Sequence, residues 1–280
     1  MTMTIISDQE ERWRRSLAMI PLGTAPPFSL ACIGASISGL GAFTFDALAC
    51  MVSADVVYCY PTTSKQYELI KLTNRCVVNL HETEYVRGGE FNAAYDAIVE
   101  QVLTAVRGGK KVAYTTQGSP AFHCGTAVRL HRTAQSEGLK SIMIPGVSSF
   151  ELLITELTLD YELNSIQAYS VLHVMDGTVE IDPQVPCLLF DIGRYALPSI
   201  RQPAERFITR NVASVVEKLQ RCYPSDHEIL LMCVSDDGCS IVRTHFATLL
   251  ESLTKFRPGV TIFMPPVADE IENAYRKSSG

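Results

Sequence analysis

The fold is decided by residues 111–150, which read KVAYTTQGSPAFHCGTAVRLHRTAQSEGLKSIMIPGVSSF. An apolar run at Lys111–Thr115 predicts a strand and leads into a loop of small residues. The helical pattern at Gly125–Glu137 is closed by Gly138, as helices commonly are. A second strand is predicted at Ser141–Pro145, before another loop of small residues. This strand–helix–strand unit predicts two parallel strands joined by a crossover helix.

The chain upstream repeats this alternation of short apolar runs with helical patterns. It favours an α/β fold whose first domain is a mostly parallel sheet, with a ligand crevice at the carboxyl ends of the strands. A further helix, capped by Ser148, is predicted through Leu157. The other predicted strands are Ser29–Gly34, Asp55–Tyr60 and Arg75–Leu80, and the other predicted helices are Thr44–Ser53, with Thr44 as N-cap, and Tyr95–Arg107.

The second half of the chain predicts another α/β domain. We expect an N-terminal arm at 1–28, a first domain at 29–164 and a second domain at 165–280. The arm contains a short amphipathic pattern at Glu10–Ile20, expected to pack on the domain or on a partner subunit. The strand-like runs of the second half are Val185–Ile192, Glu228–Val234, Ser240–Thr244 and Gly259–Met264, and its helix is Asn211–Cys222.

Composition excludes several classes of protein. The formal net charge of −6 and the scattered Lys and Arg residues argue against a nucleic-acid partner. No apolar run reaches the roughly 18 residues that a membrane span needs, and the N-terminus lacks the apolar segment of a secretory signal. Nine cysteines without a CxxC pair predict reduced thiols in a cytoplasmic protein and no metal site.

Three glycine-containing loops follow predicted strands. Gly34-Ala35-Ser36 follows the first strand, and it matches neither GxGxxG nor a phosphate-binding loop. Gly118-Ser119-Pro120 follows the fourth, where a glycine lets a ligand approach the backbone closely. The third loop places Ser148 and Ser149 at a helix start. Each loop taken alone is also consistent with an ordinary tight turn or helix cap.

In this order and spacing, the three loops resemble those of the tetrapyrrole methylase family. The resemblance covers roughly residues 29–266 and implies that S-adenosylmethionine binds in a cleft between two α/β domains, with S-adenosylhomocysteine as product. Phe122 offers an aromatic face to the sulfonium. The residues expected to contact the cofactor are Gly34, Ser36, Gly118, Ser119, Pro120, Phe122, Ser148, Ser149, Asp191, Met232, Cys233, Val234 and Thr261.

Other stretches are similar to the borosin branch, whose members methylate peptide backbone amides. These stretches are AVRGGKKV, AQSEGLKSIMIPGVSSFELLITEL, YPSDHEIL and TIFMPP. Tyr85 and Tyr95 occupy the branch's tyrosine positions, Phe91 stands where an arginine is expected, and Gln117 stands where an aromatic residue often lies. Because the chain ends at Gly280, soon after its last predicted strand, we expect a peptide substrate to come from a separate chain.

Amide methylation requires a group that accepts the amide proton and one that stabilises charge on the amide oxygen. Tyrosine hydroxyls can do both. Tyr85 and Tyr95 are therefore the candidate catalytic residues, with Arg87 as the cation. Tyr95 can equally be a core residue of its helix and Tyr85 a surface loop residue. Asp191 and His123 are weaker candidates for a base.

Three functions stay open at this point. The leading one is N-methylation of a separate ribosomally made peptide. The second is C-methylation of a tetrapyrrole, and the third is a catalytically silent protein that binds the cofactor and regulates a partner. The arm and the family resemblance also favour a symmetric homodimer.

Overall fold

The computed structural model describes residues 22–35, 37, 43–60, 64–80, 91–160, 165–192, 195, 209–235, 238–253 and 259–267, together with Arg15 and Met19. These residues form two compact units. The first is built from the chain up to Glu151 and the second from most of the remainder. The arm predicted at 1–28 lies mostly outside the described residues, and the domain boundaries drawn from the sequence stay predictions. No helix in the described part is both long and apolar enough to cross a bilayer.

The first unit is a five-stranded sheet with helices on its faces, as the alternation in the sequence predicts. The strand order is β3-β2-β4-β1-β5, and all four neighbouring pairs are parallel. The strands are β1 (Leu30–Ala35), β2 (Val56–Cys59), β3 (Val77–Asn79), β4 (Val112–Gln117) and β5 (Ser141–Ile144), and the helices are α1 (Phe45–Ser53), α2 (Ser64–Thr73), α3 (Phe91–Arg107), α4 (Gly125–Ser136) and α5 (Ser149–Glu156).

One face of this sheet is apolar and packs on α1. Ala31, Ile33 and Val57 from the strands meet Leu48 and Met51 of the helix in one buried cluster. The helix begins where the sequence predicts, because the Thr44 hydroxyl accepts a hydrogen bond of 3.2 Å from the Ala47 amide. Burial of this face removes apolar side chains from water and is the main source of its stability.

The opposite face of the sheet carries hydroxyl and thiol groups. Cys32 of β1, Tyr58 of β2 and Tyr114 of β4 are in register, so their side chains lie in one row across the sheet. Helices α3 and α4 cover this face. The Cys32 thiol donates to the Ala127 carbonyl of α4 across a distance of 3.5 Å.

Strands β1 and β4 are neighbours whose following helices cover opposite faces. Helix α1 packs with the cluster of Ala31 and Ile33, whereas α4 lies over Cys32. The chain therefore leaves the carboxyl ends of these two strands in opposite directions. In parallel sheets such a divergence opens the crevice in which ligands bind.

The second unit contains a mixed sheet. Its strand order is β6-β7-β10-β8-β9, with β6 and β7 parallel and β10 antiparallel to both β7 and β8. Its buried core contains Leu189, Val215, Leu231, Phe246 and Ile262. The strands are β6 (Gln167–Ser170), β7 (Cys187–Phe190), β8 (Glu228–Ser235), β9 (Gly238–His245) and β10 (Val260–Met264), and the helices are α6 (Val171–Met175), α7 (Thr209–Leu219) and α8 (Leu249–Leu253), the last preceded by a 3₁₀ turn at Phe246–Thr248.

Candidate functional site

Three glycines meet at the carboxyl ends of β4, β1 and β5. Gly34 is the fifth residue of β1, Gly118 follows β4, and Gly146 follows β5 after Pro145. A Cβ atom on Gly34 would lie 2.4 Å from both the Gly118 carbonyl oxygen and the Gly146 nitrogen. A Cβ atom on Gly146 would lie 2.5 Å from the same carbonyl oxygen. We call these three residues the glycine junction, because three segments of the main chain touch there with no side chain between them.

Gly118 has a second reason to be glycine. Its φ angle of +63° lies in the left-handed region, and a Cβ atom there would lie 3.2 Å from the Ser148 Cα. The loop then turns tightly, since the Phe122 amide donates to the Ser119 carbonyl at 3.1 Å. Pro120 is buried in this turn and Ser119 is half-buried. The sequence predicts that Gly118 lets a ligand approach the backbone; the structure adds that the three glycines let the loops approach one another.

Ser148 holds the start of α5. Its backbone amide donates to the Glu151 carboxylate at 2.8 Å, its hydroxyl contacts the same carboxylate, and the Phe150 amide donates to that hydroxyl at 3.1 Å. This reciprocal pairing is a capping box. The Ser148 side chain is therefore already engaged within its own loop. Ser149, half-buried, begins the helix.

An aromatic pair lies on the same two loops. The ring centroids of Phe122 and Phe150 are 5.9 Å apart at an angle of 49°, and both rings are half-buried. His123 packs edge-on against Phe122 at 4.5 Å. The His123 φ angle of 51° is unusual for a residue other than glycine and turns the chain sharply after the pair. Aromatic faces partly open to solvent are suited to a cationic or planar ligand.

Tyr95 lies half-buried in the second turn of α3, above the hydroxyl-bearing face of the sheet. Tyr114 in β4 is 3% exposed and interacts electrostatically with Tyr95 and Tyr60. Burial raises the pKa of Tyr114 well above its ordinary value, so this phenol stays protonated and can act only as a neutral group. Sequence reasoning missed Tyr114 and Tyr60. The alternation of Lys111–Thr115 was the available signal, because it places Tyr114 on the face opposite Ala113.

The other two catalytic candidates, Tyr85 and Arg87, lie outside the described residues. Ser36, an expected cofactor contact, lies outside them as well. Phe91 is the first residue of α3, so this helix begins four residues before the predicted Tyr95. The helix is longer because Asn92, Ala93 and Ala94 continue a pattern that carries no helix-breaking residue.

The cysteines are all free thiols. Burial raises the pKa of Cys124, which leads into α4, and also that of Cys32 beneath it. Burial raises the pKa of Cys187 to about 12. Thiols that stay protonated are poor nucleophiles and poor metal ligands. In the part of the chain that the structure describes, no three His, Cys, Asp or Glu residues group as metal ligands would.

In the second unit, Asp191 directly follows β7 with a φ angle of 64°. The Ser170 hydroxyl donates to its carboxylate at 2.7 Å and so fixes the side chain at the end of the parallel β6–β7 pair. Thr261 is paired in register with Met232 on neighbouring strands, and both are buried. The other two expected contacts follow Met232 along β8 and are half-buried; they are Cys233 and Val234.

Known proteins resemble this chain in sequence and in fold. A borosin methyltransferase/precursor of type II from Phlebiopsis gigantea is 22% identical over 85% of this chain and 43% of its own length. A type I borosin methyltransferase/precursor from Coprinopsis marcescibilis is 24% identical over 72% of this chain and 51% of its own length. The chain thus spans about half the length of these curated relatives.

The solved structures add agreement in fold. A cobalt precorrin-4 methyltransferase from cobalamin biosynthesis superposes with a TM-score of 0.61 at 17% identity, covering 87% of this chain and 98% of its own. The family model for tetrapyrrole (corrin/porphyrin) methylases matches residues 29–233. That range contains the whole parallel sheet, the glycine junction and the aromatic pair, so the resemblance stated from three loops is confirmed. The chain belongs to the tetrapyrrole (corrin/porphyrin) methylase family.

Proposed function

We propose that this protein is an S-adenosylmethionine-dependent methyltransferase that methylates backbone amide nitrogens of a separate, ribosomally made peptide. The observation that carries the proposal is the glycine junction, together with family membership. The relatives named as borosin methyltransferase/precursor support a peptide substrate. In those relatives methyltransferase and precursor are named as one protein, whereas here the peptide is proposed to be another chain.

The residues of the first unit fit this cofactor. The glycine junction packs the main chains of three loops together at the carboxyl ends of β1, β4 and β5, which is the edge of a parallel sheet where ligands bind. Phe122 and Phe150 offer aromatic faces on two of those loops, and such faces attract a sulfonium. Gly118, Ser119 and Pro120 belong to this proposed site, and Ser148 supports it through its capping box.

The second unit is proposed to supply further main-chain contacts to the cofactor. Asp191 has a left-handed backbone conformation directly after β7, and the Ser170 hydroxyl holds its carboxylate there. The remaining residues assigned to cofactor binding on the family resemblance are Met232, Cys233, Val234 and Thr261, with Ser36 in the first unit. Affinity in the micromolar range, about −8 kcal/mol, is expected for the assembled site.

When bound, the cofactor supplies an electrophilic methyl group. The protein must hold an amide nitrogen in line with it, at roughly 3–3.5 Å. As the nitrogen–carbon bond forms and the carbon–sulfur bond breaks, the amide proton must leave. We assign that proton to an ionised tyrosine oxygen, at Tyr95 or at Tyr85, which becomes a neutral hydroxyl on accepting it. The stabilisation of the amide oxygen is assigned to the other hydroxyl and to Arg87.

The deciding experiment uses intact mass. The full chain is incubated with S-adenosylmethionine and a precursor-like peptide encoded by a neighbouring reading frame, and separately with a porphyrinoid. Gains of 14 Da on the peptide, located by fragmentation on backbone nitrogens, would support the proposal. Gains only on the porphyrinoid would establish tetrapyrrole C-methylation instead. Cofactor binding by calorimetry without turnover on either would favour a silent binding protein.

We also propose that the protein works as a symmetric homodimer in the cytoplasm. The free thiols agree with a reducing compartment, and the arm at 1–28 offers an apolar segment for a partner subunit. Light scattering should give twice the 30.9 kDa of one chain. A mass of one chain across micromolar concentrations would exclude a stable dimer.

A further inference from the structure

A cavity of about 510 Å³ opens beside the start of α4, on the first unit. It begins at Ala121 and His123, on either side of Phe122 of the aromatic pair. Its wall continues along α4, where Arg129 and Arg132 face it one turn apart. We call it the basic cavity, because the charged residues among its lining are these two arginines and, when protonated, His123.

The positive charge of this cavity is not a property of the whole chain, whose formal net charge is −6. Arg132 is exposed and forms no ion pair with any described residue. Arg129 pairs with Asp96 of α3 through one guanidinium nitrogen, so its other donors stay available. No Asp or Glu is among the described residues that line the cavity.

The start of α4 adds to this charge. The twelve-residue helix has no acidic residue in its first turn, and Gly125 at its beginning lines the cavity. The positive end of the helix dipole therefore opens into the cavity, where no described carboxylate faces it.

The cavity lies beside the proposed methyl-transfer site, because two of its lining residues flank Phe122. His123 contacts the Phe122 ring at 4.5 Å, and its left-handed backbone turns the chain from the aromatic pair into the wall of the cavity. A polypeptide whose amide lies at the aromatic pair would therefore pass close to His123, at the entrance of the cavity.

We infer that the basic cavity binds a carboxylate side chain of the polypeptide substrate, close in sequence to the methylated amide. This inference rests on the proposed function and specifies its substrate: a peptide with an Asp or Glu flanking the methylated segment. Arginines form charge-assisted, frequently bidentate hydrogen bonds with carboxylates, which fixes the register of the chain that carries them. Free phosphate has a related anionic chemistry, so the test must separate the two sources.

The probe is a fluorescein-labelled hexaglutamate peptide, with hexaglutamine as the neutral peptide and inorganic phosphate as the small anion. Anisotropy is measured on the full chain and on Arg132→Glu, with Lys140→Glu as the matched control, an exposed charge reversal on the same unit. We expect hexaglutamate to bind, hexaglutamine not to bind, and Arg132→Glu to weaken binding at least tenfold while Lys140→Glu changes it less than twofold. Equal weakening in both variants would overturn the inference, since it would report only net charge.

Two further results would also overturn it. One is that Arg132→Glu has no effect; the other is that millimolar phosphate alone displaces all of the peptide at constant ionic strength, which would make this a small-anion site. Calorimetry with S-adenosylhomocysteine on the same samples tests the proposed function separately. If the protein does not bind S-adenosylhomocysteine but still binds hexaglutamate in a way that depends on Arg132, the proposed function alone is refuted. Intact cofactor binding without peptide binding would refute the inference alone.

Discussion

The two sheets of this molecule have five strands each but differ in what they place at their edges. In the parallel sheet, the carboxyl ends of β4, β1 and β5 lie at one edge, where Gly34, Gly118 and Gly146 touch. In the mixed sheet, β10 runs against both of its neighbours, so its end lies at the opposite edge from theirs. Strand direction thus concentrates three loops in the first unit and disperses them in the second.

The same contrast appears in buried tyrosines. Tyr114 lies in the parallel sheet and interacts electrostatically with Tyr60 and Tyr95. Tyr223 in the second unit is 2% exposed, and its hydroxyl has no hydrogen-bond partner among the described residues. One phenol belongs to a group of polar side chains at the candidate site; the other is packed against His227 and Phe246. Removing a tyrosine hydroxyl therefore tests a role in catalysis in the first unit and a role in packing in the second.

The largest expected effect is at the glycine junction. Gly34→Val forces a branched side chain into main-chain atoms 2.4 Å from its Cβ, and should cost more than about 4 kcal/mol of unfolding free energy. Urea denaturation followed by circular dichroism measures it. Gly23→Ala is the control, since an added Cβ meets nothing within 4 Å there. If Gly34→Val folds with wild-type stability and still binds S-adenosylhomocysteine, the junction is not the close contact described.

Tyr95→Phe tests the polar face of the parallel sheet. It removes one hydroxyl and keeps the ring, so stability and cofactor affinity should be retained. Loss of one transition-state hydrogen bond should lower the rate by roughly 10²–10³. Single-turnover mass spectrometry on the methylated peptide is the measurement. Wild-type rates in both Tyr95→Phe and Tyr85→Phe would show that these tyrosines are structural.

Tyr223→Phe is the matching change in the second unit. Removing a buried hydroxyl that lacks a partner relieves a desolvation cost, so unfolding free energy should rise by about 1 kcal/mol. Turnover should not change. Thermal denaturation of Tyr95→Phe and Tyr223→Phe, measured side by side, separates a catalytic hydroxyl from a packed one. A Tyr223→Phe variant that is less stable than wild type would show that this hydroxyl has a hydrogen-bond partner.

Removing either of the two serine caps, Ser148 or Ser170, is expected to have a smaller effect than the preceding substitutions. Ser148→Ala removes the hydroxyl that the Phe150 amide donates to, and should cost about 1 kcal/mol. Ser170→Ala removes both a cap of α6 and the hydrogen bond that fixes Asp191. We expect similar stability losses, with weaker cofactor binding in both variants. A Ser148→Thr variant should retain the cap and the binding.

The smallest effect is in the acid dependence of stability. A hydrogen bond from Arg107 lowers the pKa of Glu137, and hydrogen bonds from Thr178 lower that of Asp176. Each carboxylate stabilises the fold above its unfolded-state pKa, and this contribution is lost as pH falls through the lower, folded-state pKa. Glu137→Gln and Asp176→Asn should therefore differ from wild type at neutral pH and converge with it in acid. At about 1 M salt, where the Debye length is about 3 Å, the Glu137 difference should shrink more than the Asp176 difference, because the partner of Glu137 is a charged guanidinium.

The sequence predicted the parallel sheet more completely than the rest. All five of its strands lie within the predicted runs or overlap them, because the strands of a covered parallel sheet read as short apolar segments. Helix α2 was missed since Ser64–Thr73 is mostly polar, and β6 was missed since Gln167–Ser170 is short and only partly buried. Both depend on neighbours that a local pattern does not reveal.

The candidate site was predicted in its loops but not in its contacts. Three glycines after three strands were visible in the sequence, yet their mutual distances depend on strand order, which no local pattern specifies. The cap formed by Ser148 and Glu151 was readable as a spacing of three residues. The position of Tyr95 above Tyr114 was not, because it follows from how α3 crosses the sheet.

The glycine junction, where we propose that the cofactor binds, is encoded by the absence of side chains. Substitutions at surrounding positions can reshape what lies next to it, such as the aromatic pair or the basic cavity, without altering its main-chain atoms. Substitutions at the junction itself have almost no tolerated alternatives. Directed evolution of substrate choice should therefore find its gains among residues 119–132 and leave Gly34 and Gly146 untouched.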